Sequence, residues 1–189
     1  MKDNKGKIWL HLGCGKRNFP GFINVDLAKY SHIHYRRPVQ DLSCFKNNYA
    51  DLIYASHTFE YFDRFEAEKV LKEWRRVLKK GGVLRLAVPD FEALIKVYKK
   101  YGKLEMILGP LYGRWPIPGT TKTVYHKTVY DFQFLKKILM ENGFGKVKRY
   151  DWRKTPPHKD YDDYSQAYIP HMDKEKGLLI SLNIEAVKI

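Results

Sequence analysis

The stretch HLGCGKRNFPGFINVDL, His11 to Leu27, joins an apolar run ending in Gly13-Cys14-Gly15 to a second apolar run ending in Asp26. Glycines at the end of a strand let the backbone approach a ligand closely. In open α/β sheets, ligands sit at the carboxyl ends of the strands. An acid that closes the second strand accepts hydrogen bonds from ribose hydroxyls. Gly13, Gly15 and Asp26 together therefore predict a nucleoside-binding turn.

The nucleoside is not expected to belong to a dinucleotide. The pattern G-x-G-x-x-G requires glycine at position 18, where the chain has Asn18, and an acid ~20 residues further on. Asp26 comes too soon after Gly15, and residues 13–21 hardly leave room for the crossover helix that seats a pyrophosphate. A ligand with ribose and adenine but no pyrophosphate fits better, and S-adenosylmethionine is such a ligand.

Outward from this stretch, strands are predicted for residues 7–12 (KIWLHL), 22–26, 51–56, 83–88 and 146–152, with a last one within 178–189. Val70, Leu71, Trp74, Val77 and Leu78 recur at helical spacing, with Gly81 and Gly82 as the stop. Asp90 caps a helix running to Tyr101, and Asp131 caps another that ends at Asn142-Gly143. Residues 104–125 are broken by glycines and prolines and are expected to be irregular. Strands alternating with helices predict an α/β, Rossmann-like sheet, mostly parallel, with helices on both faces. No helix separates the last two strands, so the final strand is expected to be antiparallel.

The chain of 189 residues is expected to form a single domain over 1–189. No apolar run approaches the ~20 residues of a membrane span. The N-terminal MKDNKGK has no apolar signal core, so the expected location is cytoplasmic. Cys14 and Cys44 form neither a zinc pattern nor a disulfide framework, and no metal ligands are predicted. The net charge of +14 admits anionic partners. The basic runs KEWRRVLKK and KVYKKYGK lie on helical patterns and are read as solvated faces.

LHLGCG resembles the first motif of class I S-adenosylmethionine-dependent methyltransferases. Further landmarks of that family follow in order: Asp26 as the ribose acid, Asp41-Leu42 as the adenine-contacting pair, DLIYASHTFEYF as the fourth-strand motif, and LKEWRRVLKKGGVLRLAVPD as the helix, glycine turn and fifth strand. The resemblance covers roughly residues 8–90. It implies S-adenosylmethionine as cofactor, held by Gly13, Cys14, Gly15, Asp26, Leu27, Asp41, Leu42, Ser56 and His57. YHK at 125–127, LMENGF at 139–144 and SLNIEAVK at 181–188 resemble a narrower group of small methyltransferases associated with glycan or polysaccharide synthesis. The first crossover is short for the general family, and no helix precedes the first strand, so something else must cover the cofactor.

Strand direction places the acceptor. His126 precedes a helix that starts at the cofactor end of the sheet, and residues 153–176 loop over the same end. Tyr112, Trp115, His126, His158, Tyr164 and His171 are the substrate-side candidates, since rings stack on sugars or bases and histidines bind hydroxyls. An alcohol acceptor gains from a general base, for which His126 and His57 are the candidates, followed by Glu60 and His171. Glu60 is also read as a backbone-bonding residue.

The expected activity is O-methylation of a sugar or glycan hydroxyl. Nucleic acid, chiefly RNA, is the second candidate acceptor, favoured by the charge. The fourth strand, however, is followed by SHTFEYF and not by the Asp/Asn-Pro-Pro-aromatic motif of amine methylators. A catalytically inactive, methyltransferase-like binding subunit is a third alternative.

Overall fold

The computed structural model describes residues 6–189; the residues 1–5 used above for the signal-peptide reading lie outside them. Among the described residues, the central sheet has seven strands in the order β3-β2-β1-β4-β5-β11-β8. These are β1 Trp9–Leu12, β2 Phe22–Asp26, β3 Tyr35–Arg36, β4 Ala50–Ser56, β5 Leu78–Pro89, β8 Phe144–Arg149 and β11 Ser181–Lys188. β1 pairs in parallel with β2 and β4, and β4 with β5, whereas β11 runs antiparallel between β5 and β8. The expected Rossmann-like sheet with an antiparallel final strand is present.

The helices are α1 Arg64–Val77, α2 Phe91–Tyr101, α3 Glu105–Tyr112 and α4 Phe132–Glu141. Local chemistry sets their ends. At α1, the Asp63 carboxylate accepts from the Phe65 and Glu66 amides while Glu66 returns a bond to the Asp63 amide. Asp90 and Asp131 cap α2 and α4, and α2 stops at Gly102, whose φ of 63° suits glycine.

Two expectations about elements are corrected. Gly81 and Gly82 do not stop α1. The helix ends at Val77, and Leu78 already pairs with Ala50 at the start of β5. The stretch 104–125 is not irregular: it holds α3, with Pro110 inside it, and a hairpin of β6 Arg114–Pro116 and β7 Thr123–Tyr125. The basic run at the end of α1 is also more than a solvated face. Arg75 donates to the Gly143 and Ile189 carbonyls, and Arg76 donates to those of Leu42 and Phe45. These bonds pin distant loops to the helix.

The two faces of the sheet are built differently. On one, Leu10, Ile53, Leu84 and Ile184 pack with Leu71 and Trp74 of α1 and Leu135 and Leu139 of α4. Each such side chain contributes about 1.5–3 kcal/mol when fully buried. Side chains alternate along a strand, so His11, Tyr54, Arg85 and Glu185, which are cross-strand neighbours, share the other face. Residues 13–21 form no helix, and here irregular chain from 152 to 166 covers the sheet. Tyr54 donates to Asp163, Arg85 donates to the Pro156 carbonyl and pairs with Glu185, and Asn183 donates to the Ser165 carbonyl. A buried polar network therefore does there what an amphipathic helix would otherwise do. α2 and α3 form a second core with β9 Tyr168–Ile169, β10 Leu178–Leu179 and Ile180.

Candidate active site

A cavity of about 1330 Å³ opens at the carboxyl ends of β1, β2 and β4. This exceeds the ~300–1,000 Å³ of an ordinary single-ligand pocket, so it has room for two ligands side by side. Gly13, Cys14 and Gly15 line it on one side together with Asp26 and Leu27. The two glycines are needed for different reasons. Both have positive φ, but a Cβ on Gly13 would overlap the Thr58 side chain, whereas one on Gly15 would meet nothing within 4 Å. Gly13 packs the turn against the protein, and Gly15 keeps bare backbone facing open space. Cys14 is buried, and burial followed by the nearby Asp26 charge pushes its thiol pKa up, which disfavours the thiolate.

Asp26 Oδ2 accepts the Gly15 amide at 2.8 Å and Oδ1 accepts the Ala28 amide at 2.7 Å. A carboxylate has about four acceptor positions. The two backbone bonds fix its orientation and leave lone pairs for further hydroxyl donors.

Ser56 and His57 follow β4 into the same cavity, which Trp115, His126, Tyr164 and His171 also line. His57 has a φ of 46°, a left-handed conformation that is rare for a residue with a Cβ. It turns the chain sharply at the site. The rings of Trp115 and Tyr164 are 6.0 Å apart, and those of Tyr164 and His57 5.6 Å apart, so aromatic surface leads inward to His57.

Four candidates from the sequence fall elsewhere. Asp41 is exposed and pairs with Arg37 at 2.5 Å, and Leu42 is fully buried in the core; Val39 and Gln40 line the cavity in their place. Tyr112, at the end of α3, points to solvent with 69% of its surface exposed. His158 is completely buried, 4.5 Å ring to ring from Tyr54, and its Nε2 accepts from Arg85 at 3.1 Å. It fastens the covering segment to the sheet.

Glu60, in the 3-10 turn Phe59–Tyr61, is the residue whose place the sequence did not reveal. Its side chain is 0% exposed, and Oε1 lies 3.3 Å from His57 Nδ1 and 3.7 Å from His126 Nε2. The backbone carbonyl of Glu60, not its carboxylate, meets the backbone amides of Lys127 and Thr128. Neither carboxylate oxygen has a hydrogen-bond partner among the described residues. His126 is held by an Nδ1–H bond to the Pro110 carbonyl at 2.8 Å and by Gly113, where a Cβ would come within 2.7 Å of the ring.

The cavity is roofed by the β6–β7 hairpin. The Lys29 amide donates to the Pro118 carbonyl at 3.0 Å, and Arg36 donates to that of Gly119 at 3.3 Å. Among the described residues, no group of three His, Cys, Asp or Glu has metal-binding geometry, and no helix is long and apolar enough to cross a membrane.

Residues 10–86 match a family described as a methyltransferase domain. No curated protein matches the chain. Among solved structures, a methyltransferase of Thermotoga maritima described as a possible histamine N-methyltransferase aligns with a TM-score of 0.61 at 16% identity, over 97% of this chain and 83% of that one. An S-adenosylmethionine-dependent methyltransferase of Methanosarcina mazei aligns with a TM-score of 0.57 at 17% identity, over 97% and 92%. One from Archaeoglobus fulgidus aligns with a TM-score of 0.56 at 18% identity, over 96% and 86%. The likeness establishes the fold. The residues present also fit the cofactor of that fold: open space beside Gly15, an oriented carboxylate at Asp26 for ribose, and apolar Leu27 and Val39 for a base.

Proposed function

We infer that this chain transfers methyl from S-adenosylmethionine to a hydroxyl oxygen on a sugar or glycan acceptor, a reading supported by the match of residues 10–86 to a methyltransferase domain. The observation that carries this reading is the position of His57, on the wall of the cavity that Gly15 and Asp26 also line. S-adenosylmethionine supplies a methyl group already activated on a sulfonium, so the protein chiefly aligns donor and acceptor. A free amine would need no base, whereas a hydroxyl, with its high pKa, gains from one.

His57 keeps 13% of its side chain accessible, against 4% for His126 and 0% for Glu60. In this reading His57 is the group nearer an acceptor and His126 stands behind it, the reverse of the order expected from the sequence. Exposed Trp115, Tyr125 and Tyr164 give flat faces at the cavity for a sugar ring to stack on.

RNA is the second reading. It is favoured by Lys16, Arg17 and Arg114 in the cavity lining and by the net charge of +14. Methyl transfer from labelled cofactor to a panel of sugars, nucleotide sugars, RNA and small amines tests both. Labelled sugar hydroxyl is the expected product. Labelling confined to RNA, with binding that weakens steeply as salt rises, would replace the sugar reading, and labelling of amines alone would remove the need for a base.

A further inference from the structure

Away from the cavity, α2 and α3 expose apolar side chains at helical spacing. On α2 these are Phe91, Ile95 and Tyr98, and on α3 Leu104, Leu108 and Tyr112, each with 38–69% of its surface accessible. Steps of three and four residues put each set in one stripe along its helix. Each stripe borders the contact between the helices, because Leu94 of α2 and Ile107 of α3 share a buried core and are helical neighbours of the exposed residues. With other residues, Met106, Gly109 and Pro110, α3 lines the cavity. This helix therefore stands between the cavity and the apolar outer face. Exposed apolar surface grouped in this way marks a place where something docks.

The border of the stripes is basic. Lys96, Lys99 and Lys100 on α2 and Lys103 in the turn to α3 are exposed, and none forms an ion pair among the described residues. Lys100 lies over the Tyr101 ring at 5.1 Å. Of the two acids in residues 91–112, Glu92 is engaged by Arg149 at 3.6 Å, which leaves Glu105. The run KVYKKYGK is thus the cationic edge of an apolar face and more than a solvated surface. That charge selects the occupant. A second copy of this chain in a two-fold pair would bring the same lysines against each other. An RNA backbone would meet the lysines but give Ile95, Leu104 and Leu108 no hydrocarbon to enter. A bilayer with anionic headgroups meets both needs. Tyr98 and Tyr112, with an apolar ring and a polar hydroxyl, suit the level between headgroup and acyl chain.

We propose that the outer face of α2 and α3 seats the protein on a membrane surface that carries anionic phospholipid. Ile95, Leu104 and Leu108 enter the boundary between headgroups and acyl chains, to the depth of about 5–10 Å usual for such faces. The lysines stay at the headgroup phosphates, with their stems over apolar surface and their ammonium groups in water. Among the described residues no helix is long and apolar enough to cross a membrane, so the attachment by this face is peripheral and weakens with salt. Because α3 also walls the cavity, docking places the cavity beside the membrane. Seating of this kind does not depend on which acceptor receives the methyl group.

The experiment is flotation of the full-length protein with vesicles of phosphatidylcholine alone or of phosphatidylcholine mixed with phosphatidylglycerol, at low and at high salt. The expected result is binding to the phosphatidylglycerol vesicles that is about 10-fold or more tighter than to phosphatidylcholine and that weakens as salt rises. Leu104→Ser combined with Leu108→Ser should weaken it by about 10-fold or more. Lys99→Gln combined with Lys100→Gln should weaken it by about 10-fold. Lys69→Gln combined with Lys72→Gln removes the same charge from exposed positions of α1 and should leave binding unchanged. All substituted side chains are exposed, and near-wild-type melting temperatures would show that the variants are folded. Absence of binding to phosphatidylglycerol vesicles at low salt would overturn the proposal. Equal losses in the α1 and α2 lysine pairs would also overturn it, by assigning the binding to net charge. A dimer that forms without vesicles and that the leucine substitutions dissolve would give the face to a second copy instead.

Discussion

The amide of Lys29, just after β2, donates to the carbonyl of Pro118 at 3.0 Å, so the tip of the β6–β7 hairpin is tied to the loop that follows Asp26. This contact roofs the cavity with a segment that lies between α3 and α4 in the chain. Gly119 makes the contact feasible: its φ is 73°, and a Cβ there would come within 2.5 Å of Lys29 Cβ.

Gly119→Val should therefore loosen the roof. The expected outcome is a several-fold faster release of S-adenosylhomocysteine and new proteolytic cleavage within 117–122. Because the hairpin is peripheral to the core, the melting temperature should fall by only a few degrees, consistent with about 1 kcal/mol for a non-glycine residue forced to positive φ. Stopped-flow release together with limited proteolysis measures both. Wild-type release rates would show that the hairpin does not cover the cofactor.

Asp26 accepts from the Gly15 and Ala28 amides on the wall of the cavity. Asp26→Ala should lower S-adenosylhomocysteine affinity by about 1–3 kcal/mol, the cost of leaving polar partners unsatisfied. Asp26→Asn should retain part of the affinity, since its amide oxygen still accepts. Calorimetry on both variants decides. Equal affinity of wild type and Asp26→Ala would remove Asp26 from the cofactor site.

His57 and His126 differ in access to an acceptor. His57→Ala should keep cofactor binding and lose about 10²–10⁴ in turnover, the usual worth of a general base. His126→Ala should lose less, because its side chain is 4% exposed against 13% for His57. Steady-state rates with the identified acceptor separate the two. A larger loss in His126→Ala would restore the order expected from the sequence.

His11 supplies a pH dependence to stability. Burial lowers its pKa from 6.5 to about 3, so the folded protein keeps it neutral while the unfolded chain binds a proton below about pH 6.5. The unfolded state thus binds more protons between these values, and stability falls as pH drops through that window. The ring stacks on Phe19 at 4.9 Å, and its Nδ1 has no hydrogen-bond partner among the described residues. His11→Phe should preserve the stacking and flatten the loss of stability between pH 7 and pH 4.5. Urea denaturation at several pH values measures this, and an unchanged slope would assign the acid sensitivity to other groups.

What the sequence determined by itself is local or periodic. FINVD is β2 residue for residue, and α2 and α4 begin after the aspartates that cap them. The antiparallel last strand followed from the absence of a helix before it. That Gly13, Gly15 and Asp26 line one cavity follows from their places at the ends of neighbouring strands, within fourteen residues of chain. Tertiary structure alone decided the rest. α3 survives glycine and proline because Ile107 packs with Leu94 and Val97 of α2 in a shared core, an interaction that outweighs helix propensity. His158, polar and placed in a loop, is buried because Arg85 and Tyr54 lie opposite it on the sheet face that its own segment covers, with Asp163 of that segment beside it. Glu60 meets His126 across 66 residues of chain, and no spacing rule reaches that far. Caps, turns and periodicities are set by bonds between near neighbours. The convergence of two histidines on one buried carboxylate is set by how separate elements pack.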